Sequence, residues 1–383
     1  MAVHLKPVEE QVIVLTGASS GIGLATARAA ADRGARLVVV ARNEKALQEL
    51  ARECVKRGGR AIAVAADTAR PGDLERVAKR TIEAFGGFDT WINNAAVAVY
   101  GTIEEIPLDD QRRQFEVNYW GVVNGSRIAA AHLRRRGGGA IINTGSVLSD
   151  RALIFQTQYS ASKHAVKAFT DGLRMELEHE GAPISVTLIK PSSIDTPYTE
   201  HARNYLDAPG LVTPPPNYDP HLVAKAILFA AENPKRTLTI GFGGYAIGML
   251  GAHFPRLTDY LMEVTGYSAQ TSGNPGRRER RDNLYAARED MAEHSSRPGS
   301  VRQTSLFLEA QMHPTAAFLL FAGAGLAIAA AIRTRNGSDR TGSQSDLEPA
   351  ARMQAWEEWP ETDPDLLPRR SGVRDRELPV SMR

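Results

Sequence analysis

The chain has 383 residues, 43% of them hydrophobic, with 46 basic against 44 acidic side chains. That length and apolar share suit one large α/β domain with extensions, or two domains. The net charge of +2 argues against a nucleic-acid or acidic partner, and the lone Cys54 rules out an internal disulfide.

Residues 1–12, MAVHLKPVEEQV, lack the apolar core of a signal peptide, so the amino-terminal part is expected to stay in the cytosol. From residue 12 to about 241, short β-branched runs alternate with amphipathic stretches. The strand-like runs are 11–17, 35–41, 60–67, 88–96, 139–146, 183–190 and 236–241. Each is apolar throughout, the pattern of strands covered on both faces. Helical stretches lie between them at 21–33, 43–57, 71–85, 109–135, 159–180 and 219–232, with Gly34 placed for a C-cap and Asn43 for an N-cap. The alternation predicts a parallel, doubly wound sheet of about seven strands with helices on both faces, occupying residues 8–245.

Beyond this domain the pattern degrades. Residues 246–311 read as an extension and polar linker, following on an apolar, glycine-rich stretch at 241–254 and carrying the charge run RRERR at 277–281. Residues 312–334 contain TAAFLLFAGAGLAIAAAI (315–332), eighteen residues without a charge. As a helix this run spans about 27 Å, enough to reach across a bilayer core. Spanning a membrane, lying on it and packing on protein all remain open, because Arg333, Arg335 and Arg340 would hold the tail in the cytosol and put the main domain outside. Residues 335–383 are polar and proline-dotted, the composition of a disordered tail.

The first strand ends in TGASSGIGLA (16–25), with Gly17, Gly21 and Gly23 around Ser19, Ser20 and Ile22. Glycines at a strand-to-helix turn let a pyrophosphate approach the amides of the helix N-terminus. The second strand ends in Ala41 and Arg42, where NAD-binding folds usually carry an acid for the ribose. An arginine there can pair with a 2′-phosphate, so NADP(H) is expected over NAD(H). Tyr159 and Lys163 stand four apart in QYSASKHAVKAF, one turn apart on a helix face. An ammonium group beside a phenol favours the phenolate, which suits a general acid/base. His132, His164 and His201 do not form metal-ligand spacing, and no metal is expected.

These motifs, with Asp67 after AA, NNAA (93–96), Asn118 in FEVNYWG, Ser146 in NTGSV and KPSSIDT (190–196), occur in an order that resembles the short-chain dehydrogenase/reductase family. The resemblance covers residues 10–245 and implies a Rossmann-type fold. It implies a catalytic set of Asn118, Ser146, Tyr159 and Lys163: Tyr159 the acid/base, Lys163 on the nicotinamide ribose and lowering the Tyr159 pKa, Ser146 on the substrate oxygen. Asn118 would kink its helix and hold a water linked to Lys163. Asp67 would meet the adenine, Asn93 and the small residues after it would line the adenosine side, and Thr196 would touch the carboxamide. Thr68, Asn94, Ala95, Pro191 and Ile194 complete the implied cofactor contacts. Ala96 and Ser192 depart from the family's usual glycines.

The implied activity is NADP(H)-dependent interconversion of a carbonyl and a secondary alcohol, by a homodimer or homotetramer that contacts no nucleic acid. The alternatives are a non-catalytic cofactor-binding regulator or scaffold, or an epimerase or dehydratase on the same fold. A long loop at 195–218 with Tyr198, Tyr205 and TPPPNY is expected to act as a lid. Val97, Val99, Val147, Leu148 and Phe155 suggest an apolar pocket for a hydrophobic or bulky substrate.

Overall fold

The computed structural model describes residues 3–273, 281–288, 291–297 and 299–319. Every residue of β1 (Val12–Thr16) is buried, and so are the inner four of β2 (Arg36–Ala41). Side chains alternate between faces with period two. Ile13, Leu15, Leu37 and Val39 therefore enter one core, with Leu24, Leu47, Leu50, Val223 and Ile227. Val12, Val14, Val38 and Val40 enter another, with Leu74, Val77, Leu133 and Leu177. Strands that are apolar on both faces need helices on both. Here α1 (Gly21–Asp32), α2 (Glu44–Lys56) and a later helix, Pro220–Glu232, fill the first layer. The second layer holds α3 (Pro71–Phe85) with the helices Gly121–Arg136 and Thr157–His179. The Asn43 side chain caps α2 by accepting the Ala46 amide at 3.0 Å, and Gly34 follows α1 with a φ of 80°.

The remaining strands of the main sheet are β3 (Arg60–Ala65), β4 (Thr90–Asn93), β5 (Gly139–Thr144), β6 (Ile184–Pro191) and β7 (Thr237–Ile240). They form one parallel seven-stranded sheet in the order β7-β6-β5-β4-β1-β2-β3. The chain starts in mid-sheet, winds outward through β2 and β3, then returns to β4 on the other side of β1. This reversal opens a crevice beyond the C-terminal ends of β1 and β4.

The stretch expected as one helix over 109–135 is interrupted. Helix α4 (Leu108–Phe115) passes through a π-helical turn, Glu116–Trp120, into α5 (Gly121–Arg136). The wider turn carries Asn118 and leaves it fully buried. Helix α6 (Thr157–His179) and α7 (Pro220–Glu232) follow.

Past β7, the 241–270 region is helical, as α8 (Phe242–His253) and α9 (Pro255–Gln270). Phe242, Phe254, Tyr260 and Val264 on these helices are exposed. Residues 281–288 and 291–297, expected within a polar linker, instead lie against the catalytic domain as a strap. Helix α10 (Leu306–Met312) then closes the edge of β7. Its Gln311 side chain accepts the Thr239 amide at 2.9 Å and donates to the Thr239 carbonyl at 2.9 Å, as a neighbouring strand would. From residue 320 onward the apolar segment and the tail lie outside the described residues. Among those described, no helix is long and apolar enough to cross a membrane.

Candidate active site

The glycine turn after β1 is built by close backbone approach. Gly17 has a φ of 67°, and a Cβ on it would stand 2.8 Å from the Ala95 Cα. A Cβ on Gly23 would stand 2.0 Å from the Gly17 carbonyl oxygen, so only glycine fits. The turn opens into a cleft of about 450 Å³ that runs from Arg42 and Asp67 to Tyr159 and Lys163. Of the expected cofactor contacts, Gly17, Ser19, Ser20, Gly21, Ile22, Arg42, Asp67, Thr68, Asn94, Ala95, Pro191, Ile194 and Thr196 line this cleft. Gly23 packs behind it.

Three expectations need correction. Asn93 does not line the groove: it is buried, accepting from Trp91 Nε1 at 2.8 Å and donating to Ser126 at 3.0 Å and Asn143 at 2.8 Å. Strand alternation turns it inward while Asn94 faces the cleft. In the proposed pocket, Val97, Val147 and Leu148 line the cleft, joined by Leu153, Ile247 and Met262, whereas Val99 and Phe155 pack elsewhere. The third correction concerns the Tyr159 pKa. Burial pushes this phenol up to about 12, against smaller opposing contributions from the nearby hydroxyls of Tyr198 and Ser146. Lys163 is not among the groups that offset this burial, and its Nζ is turned to the Thr144 carbonyl at 2.8 Å.

Helix α6 sets Tyr159 and Lys163 on one face, with Lys163 Nζ 5.6 Å from the Tyr159 ring centre. Both are buried, and burial pulls the Lys163 ammonium down to about 8. Ser146 ends the β5 turn in the same space, its Oγ also accepting the Leu148 amide at 3.1 Å. Asn118 stands behind the cleft. Its Oδ1 accepts the Val97 amide at 2.8 Å, and its Nδ2 donates to the Val97 carbonyl at 3.0 Å and to Ser162 Oγ at 3.2 Å. It thus ties the π-helical turn to the strand end and to the turn of α6 between Tyr159 and Lys163. Ser192, one of the departures from glycine, puts an Oγ with no hydrogen-bond partner among the described residues into the cleft wall.

Sequence reasoning did not show what surrounds Tyr159. Its ring packs edge-on to Tyr198 at 5.6 Å, and Tyr198 packs edge-on to Tyr100 at 6.3 Å. Tyr198 Oη donates to Gln156 Oε1 at 3.0 Å, and Gln156 Nε2 donates to Gln270 Oε1, on α9, at 2.7 Å. A polar chain thus leads from Tyr198, beside Tyr159, into the extension.

The strap roofs the other end of the cleft. Arg42 donates to the carbonyls of Asn283, Leu284, Tyr285 and Ala286, and Asn43 donates to that of Arg288 at 3.0 Å. Burial there draws the Arg42 guanidinium below its ordinary value. Asp67, expected at the adenine, pairs with Arg113 at 2.6 Å, which also donates to the Leu284 carbonyl at 3.1 Å. The Gly21 amide, at the N-terminus of α1, donates to the Ala292 carbonyl at 2.8 Å. The far end of the strap is held by Asp110, which accepts Tyr285 Oη at 2.9 Å and Arg203 at 2.8 Å.

The donor set fits a dinucleotide: helix amides and a guanidinium at one end, a hydroxyl pair and an ammonium at the other. The sequence matches the family described as short chain dehydrogenase over residues 11–206, half of the chain. The chain belongs to the short-chain dehydrogenases. Among members of this family, the uncharacterized oxidoreductase YxnA of Bacillus subtilis (strain 168) is 47% identical, over 86% of this chain and 93% of its own. Dehydrogenase/reductase SDR family member 7B of Mus musculus is 38% identical over 48% of this chain and 58% of its own. Among solved short-chain dehydrogenases, L-sorbose reductase from Gluconobacter frateurii, complexed with NADPH and L-sorbose, superposes with a TM-score of 0.53. It shares 28% identity and covers 63% of this chain and 97% of its own. The chain is therefore an oxidoreductase of this family, with the α8–α9 helices and the strap added beyond its catalytic core.

Proposed function

We propose that this short-chain dehydrogenase uses NADP(H) to interconvert a carbonyl and a secondary alcohol on a bulky, apolar substrate, with Tyr159 moving the proton. The observation that carries this reading is the meeting of Tyr159, Ser146 and Lys163 inside the cleft that the glycine turn and Arg42 also line. A bound nicotinamide supplies the two-electron chemistry. Ser146 Oγ and Tyr159 Oη supply two donors for the substrate oxygen, where negative charge grows during reduction. A phenol pushed up to about 12 is protonated at neutral pH, so Tyr159 stands ready to give its proton to that oxygen. Lys163 holds a positive charge below pH of about 8 within one turn of the phenol and offers its remaining donors to the cleft. Asn118 acts at a distance, fixing the backbone from which Tyr159 and Lys163 project.

The apolar walls given by Val147, Leu148, Leu153, Ile247 and Met262 support a bulky substrate. Assaying NADPH oxidation with a library of carbonyl compounds should give turnover of aromatic or alicyclic ketones and aldehydes. A library in which only small polar sugars react would overturn the substrate class.

The cofactor preference rests on Arg42, with the NADPH named for the L-sorbose reductase in support. A 2′-phosphate at this guanidinium has to replace the strap carbonyls as its partner. That exchange is favourable because a hydrogen bond to a dianion is stronger than one to a neutral carbonyl. Arg42→Ala should weaken NADPH binding by roughly 10- to 100-fold while NADH binding changes little, the scale of one or two charged hydrogen bonds. Equal loss for both cofactors in fluorescence titrations would remove Arg42 from the selectivity. Exposed apolar side chains on α8 and α9 (Phe242, Phe254, Tyr260, Val264) also support placing this end of the molecule against lipid.

A further inference from the structure

We infer that Asp219, His221 and His294 form a binding site for a divalent transition-metal ion that fastens the strap to the catalytic domain. One donor atom from each of the three lies within 4.8 Å of those from the other two. Tetrahedral zinc, with bonds of about 2.0–2.2 Å, needs donors roughly 3.4 Å apart, so a side-chain adjustment on the order of 1 Å closes the set.

Two further observations point to a ligand. Each imidazole already has one nitrogen on a carboxylate: His221 Nε2 lies 2.8 Å from Glu293 Oε2, and His294 Nδ1 lies 2.9 Å from Asp195 Oδ2. That leaves the second nitrogen of each ring available, the carboxylate–histidine arrangement that orients metal ligands. Asp219 is only 5% exposed, and its Oδ1 takes the His221 amide at 2.7 Å. Its Oδ2 accepts no hydrogen bond among the described residues. That second oxygen is free to take a cation as its partner.

The charge around the set agrees. Asp195, Asp219 and Glu293 bring three carboxylates together, of which Glu293 pairs with Arg28 at 2.9 Å, a guanidinium it shares with Glu53. The His221 and His294 side chains are 53% and 45% exposed, which gives an ion a way in. Imidazole donors select zinc, cobalt, nickel or copper over magnesium and calcium. Asp219 and His221 begin α7, and His294 belongs to the strap, so the ion would join two segments of the chain more than 70 residues apart.

The test uses the full chain without an affinity tag, stripped with chelator and titrated with Co²⁺ followed by its visible absorption, then with Zn²⁺ in competition. One ion per chain is expected, with the bands of four-coordinate cobalt and a rise in the unfolding temperature. His221→Ala and His294→Ala should each weaken binding by at least about 100-fold. Asp195→Asn and Glu293→Gln should weaken it by about 10- to 100-fold, the range for groups that orient ligands. Both histidines are half exposed, so metal-free unfolding temperatures serve as the folding control and should stay within a few degrees. Binding that survives the His221→Ala/His294→Ala double variant, or no stoichiometric binding by the native chain, overturns the site. In the latter case these side chains hold the strap by ion pairs alone.

Discussion

Tyr159→Phe should lower kcat/KM for carbonyl reduction by about 10³-fold, within the range that a positioned general acid contributes. The substitution removes one hydroxyl from a buried ring and leaves the packing against Tyr198 in place. Cofactor affinity and unfolding temperature should therefore barely change. This separation is the useful part of the result, because a collapse of the site would move all three. Retention of more than a tenth of the native rate would show that Tyr159 is not the proton donor. Tyr198, whose ring packs edge-on against that of Tyr159, would then be the residue to replace next.

The second large effect is expected from Lys163→Met, which keeps the apolar stem and removes the charge. We expect about a 10²-fold fall in kcat/KM, weaker cofactor binding and an altered pH profile. In the native enzyme, burial brings the Lys163 ammonium down to about 8, against 10.5 for the free side chain. The rate of reduction should thus hold steady below that pH and fall above it as the charge is lost. The methionine variant should lack this inflection. The sign for stability is opposite. Below pH 8 the folded state buries a charge at a cost; between about 8 and 10.5 it sheds the proton while the unfolded chain keeps it. Native stability should therefore rise relative to the variant across that window, measured by thermal unfolding at a series of pH values. An unchanged pH profile in the variant would detach Lys163 from the proton chemistry.

The catalytic core was legible in the sequence because its signals are local. Runs such as VIVLT and LVVV can only be strands with both faces covered, and they alternate between two cores as that requires. Tyr159 and Lys163 face the same cleft because helix periodicity puts them there. Gly17 and Gly23 announce a backbone contact that no side chain tolerates. The sign of the Tyr159 shift was not legible, since it depends on how completely Tyr100, Tyr198 and their neighbours exclude water. Nor was the placement of Asn93, because one residue of strand register decides which of two adjacent asparagines meets the cleft. Least visible was the strap. Its sequence, mixing arginines with acidic residues, alanines and serines, carries no periodicity, and its contacts with Arg42 and Gly21 bridge more than 240 residues. A polar segment that owes its fold to distant main-chain partners looks like a linker until those partners are in place.

The strap's carbonyls sit on donors that an incoming nucleotide also needs, namely the Gly21 amide and the Arg42 guanidinium. For any ligand requiring them, this part of the chain is a tethered competitor, always present and independent of dilution. Its effective concentration is of the order of millimolar for a short connection. Apparent affinity for the nucleotide is then the intrinsic affinity scaled by the fraction of molecules with the strap lifted. Binding measured on a chain cut after β7 would consequently describe a different receptor from the one this sequence encodes.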